Sequence, residues 1–478
     1  MIRIAPGTTL CFALVAVLAT TPVAAQGAAP SDDAASATSP VATPSDAATT
    51  KPTSKPASGP LSPLAKKLED KGIFLRSALV DQYADNPIGG VAQGHTNVGQ
   101  FNIGADIDLD KAWGLTGGSF HFTVYRDYGQ SLNHNVTGTF TKQQYIYKNE
   151  FTFWHLGLFA YEQKLFDDRL DVFVGRLGST TYYGHLQTNC QFQSGSVCGE
   201  PRIIVSQAGL SLLPSATWGT NASYKLTPHT YLEAGVFEVN PTTSSSNGLD
   251  FSTAASTGIT VPVEWGWTQT NPETTRYTFE LKVGGYVSTS PLSDPYFNTA
   301  GRSRALFGGK AQTVNSSRDG VYVMGDRVVW RPDPNGSESI NLFGGIVQQL
   351  DEAEIMHQQI YSGLVWTGPF SERPRDTIGF SASYFELTPR EVEYLRDARI
   401  KAGGTGTNNK RQMAYELNYN LHLTRGLDLM PNVQYIVHPD NSAIPNTRVL
   451  PKNLLVYGLN LRVDIGSLLG FSRAPAGD

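Results

Sequence analysis

Charged and amide side chains recur at every second position within several apolar stretches of this 478-residue chain. Carboxylates accept hydrogen bonds, ammonium and guanidinium groups donate them, and amides do both. A surface that mixes all three can replace water around a neutral, polyhydroxylated solute, because each hydroxyl group both donates and accepts. The positions that stand out are Asp127, Glu280, Lys282, Glu416, Asn418, Gln434 and Arg462.

Motifs for covalent, metal or phosphate chemistry do not accompany these residues. The sequence has no G-x-S-x-G elbow, no H-E-x-x-H, no P-loop and no dinucleotide fingerprint. Residues 333–336 have the composition of a calcium loop but lack its spacing and final glutamate, so they predict a turn. We therefore expect that the protein is not an enzyme and uses no metal or cofactor.

The spacing of two predicts β-strands. In residues 411–423, apolar side chains occupy one face, and Glu416 and Asn418 lie on the other. Residues 453–465 repeat the pattern, with Arg462 on the polar face. A soluble sandwich strand can show this alternation. A transmembrane barrel strand requires it, because lipid covers one face and a polar lumen the other.

The N-terminal 60 residues predict an exported protein. Residues 1–25 combine Arg3, an apolar run and small residues before Gln26, as in a cleaved signal peptide. Residues 26–60 are rich in Ala, Pro, Ser and Thr and predict a disordered tether. No later segment reaches the roughly 18 uncharged apolar residues of a membrane helix. The protein is thus periplasmic, secreted, or a β-barrel of the Gram-negative outer membrane, and its 42 acidic against 37 basic residues argue against a nucleic-acid partner.

The rest of the chain predicts an all-β fold, a transmembrane antiparallel up-and-down barrel of about sixteen strands over residues 73–465. A short amphipathic helix at 61–72 precedes it, and a C-terminal tail at 466–478 follows. Short turns alternate with long connections, as in outer-membrane barrels. The candidate strands are 73–83, 98–109, 118–127, 151–163, 170–178, 216–226, 230–239, 277–288, 303–313, 320–330, 339–349, 357–367, 376–386, 411–423, 427–437 and 453–465.

Cys190 and Cys198 lie eight positions apart in one long connection, with Gly and Ser between them. In the oxidising compartment that export implies, this spacing predicts a disulfide closing a short loop. A zinc site is disfavoured, because His185 and His229 are poorly placed to complete four ligands.

Several local motifs carry a resemblance to a known family. They lie at residues 166–170, 174–177, 190–199 and, most specifically, 431–439, which read PNVQYIVHP. On these motifs the chain resembles the carbohydrate-selective porins of the OprB type over about residues 61–465. The resemblance implies a sixteen-stranded outer-membrane barrel that passes monosaccharides such as glucose by facilitated diffusion, without a cofactor.

The same resemblance implies a constriction lined by arginines, acids and aromatics. Arg176, in a Gly-Arg-Leu motif, is then the first candidate for a constriction residue, and Trp218, Glu280 and Gln434 are further candidates. The expected partners are outer-membrane lipid, neutral sugars and the barrel-assembly machinery, with a homo-oligomer left open. A general diffusion porin without sugar preference and a barrel enzyme or adhesin are the alternatives. Whether loop 179–215 plugs the lumen is also left open.

Overall fold

Eighteen strands form the sheets of the computed structural model, which describes residues 59–146, 153–270, 275–314, 317–351 and 353–471. The predicted signal peptide, nearly all of the predicted tether and the end of the tail lie outside these residues. The strands are β1 (Ile73–Gly90), β2 (Gly94–Asp108), β3 (Gly118–Gly129), β4 (Trp154–Leu165), β5 (Leu170–Leu177), β6 (Thr217–Thr227), β7 (Thr230–Val239), β8 (Gly258–Gln269), β9 (Phe279–Ser288), β10 (Leu292–Asn298), β11 (Ala311–Val314), β12 (Arg318–Trp330), β13 (Ser339–Gln349), β14 (Met356–Thr367), β15 (Thr377–Leu387), β16 (Arg411–Thr424), β17 (Leu427–Val437) and β18 (Lys452–Asp464).

Sixteen of these strands close into one antiparallel barrel in which each strand pairs with the next barrel strand along the chain, β9 with β12 among them, and β18 pairs with β1. The closing register sets Ala78 opposite Asp464 and Tyr83 opposite Leu459. Closure leaves no unpaired sheet edge, which is the condition for β-structure inside a bilayer. Strands β10 and β11 form a separate two-stranded sheet in the connection from β9 to β12. The predicted fold class is confirmed.

Helices occupy the ends and the connections of the barrel. The predicted N-terminal helix is present as α1, and the backbone N–H of Leu61 just before it donates to the carbonyl of Leu469 at 2.8 Å. Among the described residues, no helix is long and apolar enough to cross a membrane. The helices are α1 (Ser62–Glu69), α2 (Leu109–Trp113), α3 (Arg202–Gln207), α4 (Arg304–Phe307), α5 (Pro389–Lys401) and α6 (Ile465–Leu469).

The alternation that the sequence predicted is present in the strands. On β16, Glu416 is 1 % exposed and its neighbour Leu417 is 54 % exposed, so the polar side chain faces the filled lumen and the apolar one the lipid. On β9, Lys282 is buried and Val283 is exposed. Burial therefore runs opposite to that of a water-soluble protein, because the outer surface meets hydrocarbon.

One predicted strand is wrong and one barrel strand is absent from the prediction, although the total of sixteen is right. Residues 303–313, predicted as a barrel strand, form α4 and part of the small β10–β11 sheet. Conversely, β8 lies between the predicted strands 230–239 and 277–288, where no strand is predicted. Pro262 explains the omission, because proline cannot donate to a ladder and argues against a central strand. The pairing of β7 with β8 indeed skips the position opposite Pro262.

The two rims differ. Turns such as Phe166–Arg169 and Arg425–Gly426 close one rim, and the long connections lie on the other, which is the extracellular rim of outer-membrane barrels. Three connections on this rim matter for the site: the β3–β4 loop (130–153), of which residues 147–152 are not described, the β5–β6 loop (178–216) and the β7–β8 loop (240–257).

Candidate functional site: the lumen and its infolded loops

The β5–β6 loop folds into the lumen, which answers the question that the sequence left open. Its apolar residues Leu186, Phe192 and Ile203 are buried in one cluster with inward side chains of the wall, among them Phe343 and Val347. The inward aromatics of this half of the barrel thus pack against the loop. They serve as a core for a structured insertion.

Glu416 and Asn418 hold the tip of this loop from the opposite wall. The Glu416 carboxylate accepts the backbone N–H groups of Gln193 at 2.8 Å and Ser194 at 2.7 Å. The Asn418 amide donates to the carbonyl of Gln191 at 2.9 Å. Buried backbone groups need such partners wherever a loop has no secondary structure of its own.

Arg462 and Lys282 bind the same loop through its carbonyl oxygens. Arg462 donates to the carbonyl of Cys190 at 2.6 Å, and Lys282 donates to that of His185 at 2.7 Å. The Lys282 ammonium group also pairs with Glu280 at 3.0 Å, so its charge is compensated on the wall. The loop is therefore bound by strands on different sides of the lumen.

The β3–β4 loop enters the lumen beside it. Gln434 donates its side-chain amide to the carbonyl of Gln143 at 2.9 Å, and Gln144 donates to the carbonyl of Gln82 on β1 at 2.7 Å. The backbone N–H of Tyr145 donates to the carbonyl of Gln193 at 3.0 Å, which joins the two infolded loops directly. Together they form a bridge across the barrel interior.

A chain of ionisable groups lines the inner wall across β1, β2, β3 and β4. Arg76 binds Asp106 through two nitrogens at 2.9 and 3.0 Å. His121 contacts Asp106 at 2.8 Å through Nδ1 and Glu162 at 2.9 Å through Nε2. Carboxylates only accept, so both ring nitrogens must donate and His121 is held as a cation. Lys164 adds a longer pair to Glu162 at 3.7 Å.

The inner wall contains seven of the nine residues that the sequence proposed for the pore. Six of the seven are described above, and the seventh is Asp127, which accepts a hydrogen bond from the side-chain amide of Gln100 at 2.9 Å. Sequence reasoning missed Glu264, which is fully buried and accepts the backbone N–H of Gly184 at 2.9 Å and the Tyr322 hydroxyl at 2.7 Å. It was missed with β8, although residues 258–269 do alternate on both sides of Pro262.

The predicted position of Arg176 and Trp218 in the lumen needs correction, because the structure places both residues on the outer face of the barrel. Val174, two positions before Arg176, is 51 % exposed to the lipid side, whereas Phe173 and Leu177 lie in the lumen cluster. Arg176 is opposite Trp218 in the register of β5 and β6, so the two share that outer face.

The β7–β8 loop covers this pair from outside. Arg176 is only 1 % exposed, and it donates to the carbonyls of Asp250 at 3.0 Å and Ala216 at 2.6 Å. The Trp218 indole donates to the carbonyl of Phe251 at 3.1 Å. These contacts fasten the loop against the outer wall near the extracellular rim, so Arg176 is placed to hold a loop and has no contact with the lumen.

The two cysteines lie next to each other in the infolded β5–β6 loop. Both are half-buried free thiols in this structure. The predicted disulfide is therefore not formed here and stays a prediction. Among the described residues, no group of three or more His, Cys, Asp or Glu side chains is arranged to hold a metal ion.

A closed sixteen-stranded barrel with an apolar outer surface and loops folded into a polar lumen defines a porin. Comparison with known proteins gives the family. A model of the carbohydrate-selective porin, OprB family, matches residues 92–464, and the chain belongs to that family. It resides in the outer membrane, and its class of solute is carbohydrate.

Individual relatives agree. Porin B of Pseudomonas aeruginosa is 26 % identical over 409 residues, which cover 80 % of this chain and 88 % of that protein. A putative porin, QuiX, of Acinetobacter baylyi is 27 % identical over 412 residues, covering 78 % and 86 %. The high-pH structure of OprB from Pseudomonas putida superimposes with a TM-score of 0.74 at 26 % identity, covering 83 % of this chain and 95 % of that one. The relatives named here are channels.

Proposed function

We propose that this porin passes small neutral sugars, monosaccharides such as glucose, by passive diffusion into the periplasm. The carbohydrate class follows from the family, and the preference for neutral, small solutes is the proposal. The pairing of charges on the lumen wall is the observation that carries it.

Several charges of the lumen wall compensate one another. His121 lies between two carboxylates, Arg76 and Lys164 each pair with one of them, and Lys282 pairs with Glu280. A permeating ion gains little from a charge that already has a partner. A hydroxyl group, by contrast, can both donate to and accept from the remaining lone pairs and N–H groups. Such a wall favours the passage of neutral sugars over the passage of organic ions of similar size.

The infolded loops support a small solute. An empty barrel of sixteen strands leaves an aqueous channel, and here two loops cross it and contact each other at Tyr145 and Gln193. We assign a structural role, which is to hold the narrowed lumen in its shape, to seven residues of the inner wall: Asp127, Glu280, Lys282, Glu416, Asn418, Gln434 and Arg462. Direct contact with the sugar is assigned to the more exposed charged groups, Arg76 and Lys164.

Reconstitution tests the proposal. Proteoliposomes are swollen in glucose, in gluconate and in glucosamine, three solutes of similar size that differ in charge. The expected order places glucose first, and a disaccharide is slower than glucose. Equal rates for all three charges would instead identify a general diffusion porin. Insertion by the barrel-assembly machinery and homo-oligomer formation are further expectations, which depletion of that machinery and cross-linking in the membrane would test.

A further inference from the structure

An apolar groove opens on the outer face of the barrel, near the extracellular rim, where the β7–β8 loop lies against β3 and β4. The backbone N–H of Leu156 on β4 donates to the carbonyl of Asn247 at 2.9 Å, which fixes the loop beside the strand. The groove has a volume of about 190 Å³. Its apolar lining includes Phe122, Val124, Trp154, Phe159, Leu249 and Phe251.

The occupant of such a groove must be apolar, because the side chains that line the groove are apolar and exposed. Trp154 is 44 % exposed and Leu249 is 62 % exposed, and both lie on the surface that faces the outer leaflet. The ring of Phe251 lies 6.0 Å from that of Phe159, so the loop and the strand enclose the groove between them. An acyl chain of the surrounding leaflet fits this environment.

An exposed cation marks the end of the groove. Arg126 on β3 is exposed on the same face, and its guanidinium group lies 6.0 Å from the Trp154 ring. Within the part of the chain that the structure describes, no carboxylate forms an ion pair with Arg126. Asp250 is the one acidic residue of the covering loop, and its carboxylate accepts the N–H of Ser252 within that loop at 2.9 Å.

We propose that this groove, with Arg126 at its end, binds a phosphorylated, acylated glycolipid of the outer leaflet. An acyl chain lies between the loop and the strand, and Arg126 binds a phosphate of the head group. Arginine suits this role, because its planar guanidinium group pairs with phosphate through two parallel hydrogen bonds and its stem packs on apolar surface. The site is independent of the sugar path, since it lies on the other side of the wall.

Native mass spectrometry of the purified full-length protein in detergent tests the site. The probes are lipid A, dephosphorylated lipid A and phosphatidylglycerol, each titrated against wild type, Arg126→Gln and Arg411→Gln. Arg411 is the matched control, because it is an exposed arginine at the extracellular end of β16, away from the groove. The migration of unheated protein on gels reports whether each variant forms the barrel.

The wild type and Arg411→Gln are expected to retain one lipid A with equal affinity. Loss of one charge-assisted contact predicts roughly tenfold weaker binding by Arg126→Gln. Dephosphorylated lipid A should bind to the wild type as weakly as intact lipid A binds to Arg126→Gln. Leu249→Ser should weaken the binding of all three lipids, because it removes a contact with the acyl chain. Equal affinity of the wild type and of Arg126→Gln for lipid A would overturn the proposal. Equal affinity of the wild type for lipid A and for phosphatidylglycerol would also overturn it. An oligomer that Leu249→Ser dissolves would show that a second copy of the chain occupies the groove.

Discussion

Replacement of Glu416 by alanine is expected to release the tip of the β5–β6 loop and widen the pore. The carboxylate accepts two backbone N–H groups of that loop, from Gln193 and Ser194. Each N–H that loses its partner costs about 1–3 kcal/mol if it stays buried. Water can enter the lumen and bind these N–H groups, so the lower end of that range applies, about 1 kcal/mol for each of the two. The docked state of the loop therefore loses about 2 kcal/mol, which shifts the equilibrium between docked and released loop roughly thirtyfold.

The assay is single-channel conductance in planar bilayers, combined with swelling rates for glucose and for a trisaccharide. The variant should conduct more, and its trisaccharide rate should rise more than its glucose rate. Glu386→Ala serves as the control, because Glu386 lies on the outward face of neighbouring β15, where it binds Tyr384 and Lys410. Unchanged conductance in a correctly folded Glu416→Ala barrel would refute the reasoning that wall hydrogen bonds set the width of the path.

Three further predictions follow from the same contacts. His121→Gln removes a fixed cation between two carboxylates, so we expect a shift toward cation selectivity in reversal potentials across a salt gradient; an unchanged potential would contradict the assigned charge of His121. Cys190 and Cys198 should form a disulfide after export, so maleimide should label the purified protein only after reduction, and labelling without reductant would show the prediction to be wrong. Arg176→Ala should leave glucose swelling unchanged and expose residues 240–257 to protease, whereas altered flux with intact protease resistance would return Arg176 to the pore.

Alternation alone predicted the lumen face of most strands correctly. The reason is physical: lipid on one side and polar lumen on the other impose a period of two that tertiary packing cannot override. Asp127, Lys282 and Glu416 all lie where this period puts them. β8 is the exception. Its residues alternate, but Pro262 has no backbone N–H to donate to a neighbouring strand and so argues against a central strand.

The resemblance to a family was less reliable than the period for individual side chains. It suggested Arg176 for the constriction because the residue lies in a matching Gly-Arg-Leu motif. The alternation of the same strand places Arg176 with Val172 and Val174, the lipid-facing pair, and the structure agrees with the alternation. A motif thus identified a structurally important arginine without showing which side of the wall it serves.

The inner wall therefore contains two kinds of polar residue that the sequence does not distinguish. One kind, such as Glu416, replaces water on the backbone of an infolded loop and is almost fully buried for that reason. The other kind keeps part of its surface free, as Arg76 and Lys164 do, each with 20 % of its side chain exposed. Only the second kind can exchange hydrogen bonds with a passing hydroxyl group. Which kind a residue belongs to depends on where a distant loop comes to lie, and a strand of alternating residues does not encode that.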